Sequence, residues 1–220
     1  MGKQAGDNRV MSSTFDTFAR ANTTVAAVPF VPELRLHQAE EPMGLWELTE
    51  GEYRSEQPPP FWAFAWAGGQ GLARFVLDHP EVVRGRRVLD LASGSGLVAI
   101  AAARSGAASV LAVDVDPVAV AVVALNAEAN GVDVATRQDD LLDGDAGTAE
   151  VVLAGDAFYS QAMTERVTNF LRRAGTGRRP GPAVPAPRVV PRAGQLRRAG
   201  TRGARGGTGA PHHGVGVALM

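Results

Sequence analysis

Three kinds of residue in this 220-residue chain carry usable chemistry: acids that close apolar runs, glycines that follow them, and aromatics that alternate nearby. The sharpest case is Val88-Leu89-Asp90-Leu91-Ala92-Ser93-Gly94-Ser95-Gly96-Leu97. A β-prone run holds one carboxylate, Asp90, and then breaks at Ser93, Gly94 and Gly96. Glycine has no Cβ, so this backbone can turn tightly and lie close to a ligand. Gly94-x-Gly96-x-x-Ala99 also fits the turn that holds a dinucleotide pyrophosphate. Asp90 argues against that ligand, because a carboxylate four residues upstream repels an anion seated at the turn. A ligand bringing an ammonium and a sulfonium is attracted instead, and S-adenosylmethionine (SAM) brings both. The alternative reading of Asp90 is a turn cap.

A second acid stands at the corresponding place in the next apolar run, Ser109-Val110-Leu111-Ala112-Val113-Asp114. Asp114 follows Asp90 at the spacing, roughly 20 residues, of a carboxylate that binds ribose hydroxyls. Asp116-Pro117 then reads as a helix N-cap with proline at the first helical position. VLDLASGSG, AVDVDP and RQDD together resemble motif I, the acid after it and the adenine-side acid of class I, seven-β-strand SAM-dependent methyltransferases. The resemblance covers residues 30 to 173. It implies an α/β fold, Rossmann-like and doubly wound, with a mainly parallel sheet, and SAM as cofactor. It places Asp90, Ser93, Gly94 and Gly96 at the amino-acid end of SAM, Asp114 at the ribose, and Val115 and Asp139 at the adenine. The other reading of Asp139 is a solvated loop acid beside Asp140.

In Pro58-Pro59-Pro60-Phe61-Trp62-Ala63-Phe64-Ala65-Trp66, alternate aromatics share one face of an extended segment, so Trp62, Phe64 and Trp66 serve either as core or as a ligand wall. PPPFWAFAWAGGQGLARF resembles the segment before motif I in methyltransferases that modify lysine on folded proteins, and is similar to the electron-transfer flavoprotein β-subunit lysine methyltransferase group. That resemblance puts Trp66 beside the cofactor. Asp156-Ala157-Phe158-Tyr159, after the fourth strand, resembles the Asp-x-x-Tyr loop of the same group. The implied roles are that Asp156 orients an incoming lysine ammonium while Phe158 and Tyr159 desolvate it. Lysine attacks only as the neutral amine, and its free pKa is near 10.4. The other reading of Asp156 is an N-cap for the helix that follows.

The surrounding pattern must position these groups. Strands are expected at 87–91, 109–114, 133–138 and 149–154, and helices at 96–105, 117–130 and 160–173. Such alternation builds a parallel sheet with helices on both faces. Residues 30–37 read as an edge strand and a helix ends before Pro80. Residues 1–28 read as a flexible N-terminus with a short helix at 14–21, and residues 29–173 as an incomplete SAM-binding domain.

Composition divides the chain. All 23 acids fall within residues 1–170 against 12 basic residues, a net of −11, whereas residues 171–220 hold ten arginines and no acid. Residues 174–220, rich in Arg, Gly, Pro and Ala, read as a disordered tail, and the C-terminal strands of the family are expected to be missing. Two origins fit that tail: a GC-rich gene read out of frame, or a genuine arginine-glycine segment that binds RNA. There is no cysteine, and His37, His79, His212 and His213 have no metal-ligand spacing, so no metal is assigned. No signal segment and no membrane-length apolar run are evident, which predicts a cytoplasmic protein, and a monomer is expected. The leading functional reading is a protein-lysine N-methyltransferase with a protein as acceptor. Its rivals are a ribosomal-protein or small-amine N-methyltransferase and an inactive SAM-fold protein with an RNA-binding tail, with NAD binding disfavoured by Asp90.

Overall fold

Val88, Leu89, Asp90 and Leu91 are all buried, as a strand inside a parallel sheet must be. They form β3 (Arg87–Leu91) in a computed structural model that describes residues 14–40, 59–176 and 216–219. Before it come helix α1 (residues 14–22), β1 (Thr24–Val28), β2 (Val31–Gln38) and α2 (Ala67–Asp78). After it come α3 (Leu97–Arg104), β4 (Ser109–Asp114), α4 (Pro117–Ala129), β5 (Ala135–Gln138), β6 (Val151–Ala154), α5 (Gln161–Thr176) and β7 (Gly216–Leu219).

The main sheet runs β5-β4-β3-β6-β7 and every pair is parallel. Leu89 stands opposite both Leu111 and Val152. Side chains of β3 alternate between the two faces. Val88 joins α2, α3 and α4 in one core, while Leu89 and Leu91 join α5 in the other. Asp90 therefore lies on the Val88 face, toward the start of α3. Helices on both faces and a strand order that reverses between β3 and β6 make this a doubly wound sheet, whose ligand crevice lies at the carboxyl ends of those strands.

The β1–β2 hairpin packs on the α2–α4 side, with Val28, Val31, Leu34 and Leu36 fully buried there. Its position is fixed by amides of α4. Asn126 Oδ1 accepts from His37 N–H at 2.7 Å, and Asn130 accepts from Arg35 N–H at 3.0 Å while donating to Arg35 C=O at 2.6 Å. These amides act on β2 as a neighbouring strand would.

Two expectations are corrected here. Residues 14–28 are not a flexible N-terminus, since α1 and β1 are ordered elements. Phe15, Phe18 and Ala19 of α1 pack into the cluster around Trp62, Val118 and Val122, and β1 pairs along β2 from Thr24↔Gln38. The C-terminal strands are not all missing either, because Gly216–Leu219 pairs in parallel with β6, Val152 standing opposite Val217. β6 is buried along its whole length and its outer edge needs backbone partners, which a short segment far along the chain supplies. The rest of the predicted tail, 177–215 and 220, lies outside the described residues. β5 and β6 each begin two residues later than expected, at Ala135 and Val151.

Candidate functional site

A cavity of about 440 Å³ opens at the carboxyl ends of β3, β4 and β6. Among the described residues, four carboxylates line it, Asp90, Asp114, Asp116 and Asp156, and no Lys, Arg or His does. A pocket with that charge selects a cationic ligand.

Asp90 is 1 % exposed, and its Oδ2 accepts from the Ala99 N–H in the first turn of α3 at 3.0 Å. Burial pushes its carboxyl up to about 7, against the lowering effect of that N–H, and the nearby Asp114 pushes the same way as burial. Asp114 Oδ2 accepts from Gly94 N–H at 2.8 Å and its Oδ1 from Asp116 N–H at 3.1 Å. The end of β4 is thereby tied to the glycine turn. A carboxylate oxygen has two lone pairs, so each oxygen of Asp114 can accept a further ligand hydroxyl. Asp116 caps α4 through Val118 N–H at 2.8 Å, and burial pushes its own carboxyl up to about 6.

Gly94 and Gly96 have different jobs. Both take positive φ, +49° and +76°. A Cβ on Gly94 would meet nothing nearer than the Phe61 carbonyl at 4.0 Å, whereas one on Gly96 would stand 2.8 Å from Val123 Cγ1. Gly94 lines the cavity; Gly96 does not, and instead lets the turn press on α4. Between them the Ser95 carbonyl accepts from Asn126 Nδ2 at 2.8 Å, so one wholly buried amide connects the cofactor turn to β2.

The aromatic stretch departs from simple alternation because Phe61–Ala63 forms a 3-10 turn. Trp62 is 2 % exposed, edge-on to Phe18 at 6.2 Å, a core residue that also lines the cavity. Phe61, Phe64 and Trp66 line it too, and Trp66 Nε1 donates to the Phe61 carbonyl at 2.9 Å.

Asp156 stands at φ +37°, a left-handed backbone that a non-glycine residue rarely adopts. Its Oδ1 accepts from Gly68 N–H at 2.9 Å and its Oδ2 from Gly69 N–H. It is therefore an N-cap, but for α2, which begins at Ala67 and has no side-chain cap of its own, rather than for the helix that follows it. Glycines make this contact possible: a Cβ on Gly68 would lie 2.7 Å from Asp156 Oδ1, and one on Gly155 would lie 3.0 Å from the Gly69 Cα.

Of the residues singled out in the sequence, Trp66, Asp90, Ser93, Gly94, Asp114, Val115, Asp156, Phe158 and Tyr159 come together around the cavity. Gly96 and Asp139 are not in its wall. Asp139 sits one residue past β5, its N–H donating to Asp114 C=O at 3.0 Å and its carboxylate paired with Arg137 at 3.4 Å. Phe61, Ala92 and Asp116 line the cavity without having been singled out for it. Phe61 was concealed by the turn, and Asp116 by its evident capping role.

The residues present fit SAM. The four acids match a cationic ligand, and Ser93 Oγ is buried with no hydrogen-bond partner among the described residues, which suits a ligand group there. Among the described residues no group of three or more His, Cys, Asp or Glu is arranged to hold a metal ion.

A glycine turn after β3, acids at the ends of β3 and β4, and an acid-lined crevice at the reversal of strand order define a class I methyltransferase domain. The chain matches the family described as ribosomal protein L11 methyltransferase (PrmA) over residues 75–176. It is 38% identical over 159 residues to the electron transfer flavoprotein beta subunit lysine methyltransferase of Xenopus laevis, covering 72% of this chain and 64% of that one. It is 34% identical over 178 residues to the protein of the same name in Danio rerio, covering 78% and 68%. The chain belongs to the family of these lysine methyltransferases. It spans 64% of the frog protein and 45% of the rat and mouse proteins. Among solved structures, a ribosomal protein L11 methylase from Lactobacillus delbrueckii subsp. bulgaricus is 26% identical with a TM-score of 0.41, covering 59% of this chain and 65% of that one.

Proposed function

We propose that this chain is a SAM-dependent protein-lysine N-methyltransferase. The observation that carries the reading is a cavity lined, among the described residues, by four carboxylates and no cation, with aromatic rings beside those carboxylates. Both reactants of such an enzyme arrive positively charged, and both suit it. Bound SAM supplies a methyl group made electrophilic by its sulfonium. Asp90 and Ser93 would hold its amino-acid end, Asp114 its ribose hydroxyls, and Val115, which is 55 % exposed, would cover the base.

The rest is positioning and water exclusion, where most of the rate of an in-line displacement originates. The target amine must lose a proton before it can attack. Phe158, Tyr159 and Trp66 offer it an apolar wall, which disfavours the ammonium and lowers the amine pKa. Asp156 holds that wall together by fastening the β6 loop to the start of α2.

For the acceptor we propose the electron transfer flavoprotein β subunit, which the curated relatives are named for. The test is incubation with labelled SAM and either that subunit or ribosomal protein L11, followed by mass spectrometry of the product. Methyl groups on lysine ε-nitrogens of the flavoprotein subunit are expected. Label confined to L11 would move the chain to the other named branch, and SAM binding without transfer to either would reject the proposal.

A further inference from the structure

We infer that Gln70 is a positioning residue: its amide fixes the backbone on both sides of Trp66 and so sets the indole that stands in the cavity wall. Gln70 lies in the opening turn of α2 and is 7 % exposed. The other buried residues of that helix, Leu72, Ala73 and Val76, are apolar. An amide on a core-facing surface is costly unless its polar groups find partners. Here both ends do. Nε2 donates to the Ala65 carbonyl at 2.5 Å, and Oε1 accepts from Phe30 N–H at 3.1 Å. A carbonyl only accepts and a backbone N–H only donates, so these partners fix which way the amide points.

The backbone N–H of Gln70 also donates, to the Trp66 carbonyl at 2.9 Å. Ala65 C=O belongs to the peptide unit before Trp66, and Trp66 C=O to the one after it. One residue therefore restrains Trp66 from both sides, in an extended backbone with φ −64° and ψ 151°. The indole is 43 % exposed, so packing alone does not hold it. Its Nε1–H donates to Phe61 C=O, and the rings of Phe61 and Phe64 stand edge-on at 6.0 and 5.6 Å. Those contacts stay within residues 61–66. Gln70 ties that segment to α2 and, through Phe30, to the turn between β1 and β2. A methionine at 70 would fill similar space and leave Ala65 C=O and Phe30 N–H without that partner. Gln70 is not among the described residues that line the cavity. It acts on the reaction through the wall, and a wall group displaced by about 1 Å can cost a large share of the rate.

The effect on transfer rests on the lysine reading above; the effect on Trp66 does not. The experiment is therefore 19F NMR of the full chain carrying 5-fluorotryptophan, with resonances assigned by Trp62→Phe and Trp66→Phe. Beside it run calorimetry of SAM binding and steady-state methylation of recombinant electron transfer flavoprotein β subunit. Gln70→Met should shift the Trp66 resonance, leave that of the core residue Trp62 in place, lower kcat roughly tenfold and leave SAM affinity unchanged. Gln70→Glu keeps an oxygen for Phe30 N–H but has no hydrogen for Ala65 C=O, so it should behave as Gln70→Met does. Added to Trp66→Leu, Gln70→Met should cost no further kcat, because both changes remove the same wall. An unmoved Trp66 resonance, additive losses in the double variant, or a Gln70→Glu protein equal to wild type overturns the inference. So does loss of folding in both Gln70 variants, which would make the amide a structural link only. A wild-type chain that binds SAM but labels no lysine rejects the lysine reading, while the Trp66 resonance still decides the role of Gln70.

Discussion

Asp90 holds its proton to a higher pH than an ordinary carboxyl because water is excluded from it, and this gives SAM binding a predictable pH dependence. Without ligand, the folded chain keeps a proton up to about pH 7 that the unfolded chain releases near 4. The folded state therefore binds more protons across that window, and its stability falls as pH rises through it. A cationic ligand favours the ionised form and expels the proton. SAM affinity should thus rise with pH, by up to roughly tenfold per unit below 7, and level off above. Asp90→Asn should weaken binding and flatten the profile, whereas Asp116→Asn, whose carboxyl titrates about one unit lower, should keep the step near 7. Calorimetry between pH 5.5 and 8 decides it; a profile that Asp90→Asn leaves intact would assign the proton elsewhere. Two residues away, Ala92 sits at φ +53°, where an L side chain is strained. Ala92→Gly should raise stability by about 0.5–1 kcal/mol in urea denaturation, the relieved strain exceeding the added freedom of the unfolded chain. A loss of stability would mean that the Ala92 methyl packs better than its backbone angle implies.

At the scale of elements, the site exists because side chains far apart in sequence close each other's backbone ends. Helix α2 starts without a local cap, and Asp156 supplies it. Asp156→Ala should lower stability by about 1–2 kcal/mol, in the range of a lost N-cap, and weaken methyl transfer more than SAM binding, since the residues assigned to SAM do not depend on it. Equal losses in transfer and SAM affinity would show that α2 also shapes the cofactor end. Asn126 is the second such connection. Asn126→Leu leaves the Ser95 carbonyl and the His37 N–H unpaired in the interior, at about 2–4 kcal/mol together. Thermal unfolding should show that loss, and SAM affinity should fall with it because the glycine turn loses its anchor. Unchanged SAM affinity would make Asn126 a structural link only.

For the molecule as a whole, β7 closes the open edge of β6. Every described residue lining the cavity lies between Phe61 and Met163. Deleting residues 214–220 should therefore preserve SAM binding while lowering the melting temperature and increasing aggregation, because an unpaired edge recruits other chains. Light scattering and calorimetry on the same sample separate the two effects; loss of SAM binding would show that β7 supports the site as well as the sheet.

The parts of the site that the amino-acid sequence determined by itself are those whose function is local. Strand, acid and glycine turn follow one another within ten residues, so Asp90, Ser93 and Gly94 could be expected at the cavity before any fold was known, Asp114 followed from its place at the end of the next strand, and the parallel sheet from the alternation around them. Tertiary structure alone decided what depends on partners far along the chain. β2 was legible as an edge strand over 30–37, but its partner β1 and the hairpin were not, because the pair is held by amides of α4. The alternative reading of Asp156, as a cap, was attached to the helix that follows it because the helix it caps begins at Ala67, far earlier in the chain. Phe61 went unassigned because a short 3-10 turn replaces the extended backbone on which the alternation was read. Gly96 resembled a ligand contact, and only the 2.8 Å approach to Val123 shows that packing requires it. Periodicity and composition record which face of an element is apolar. A hydrogen bond between distant segments depends on a single side chain reaching a single backbone group, and it leaves no repeating pattern to read.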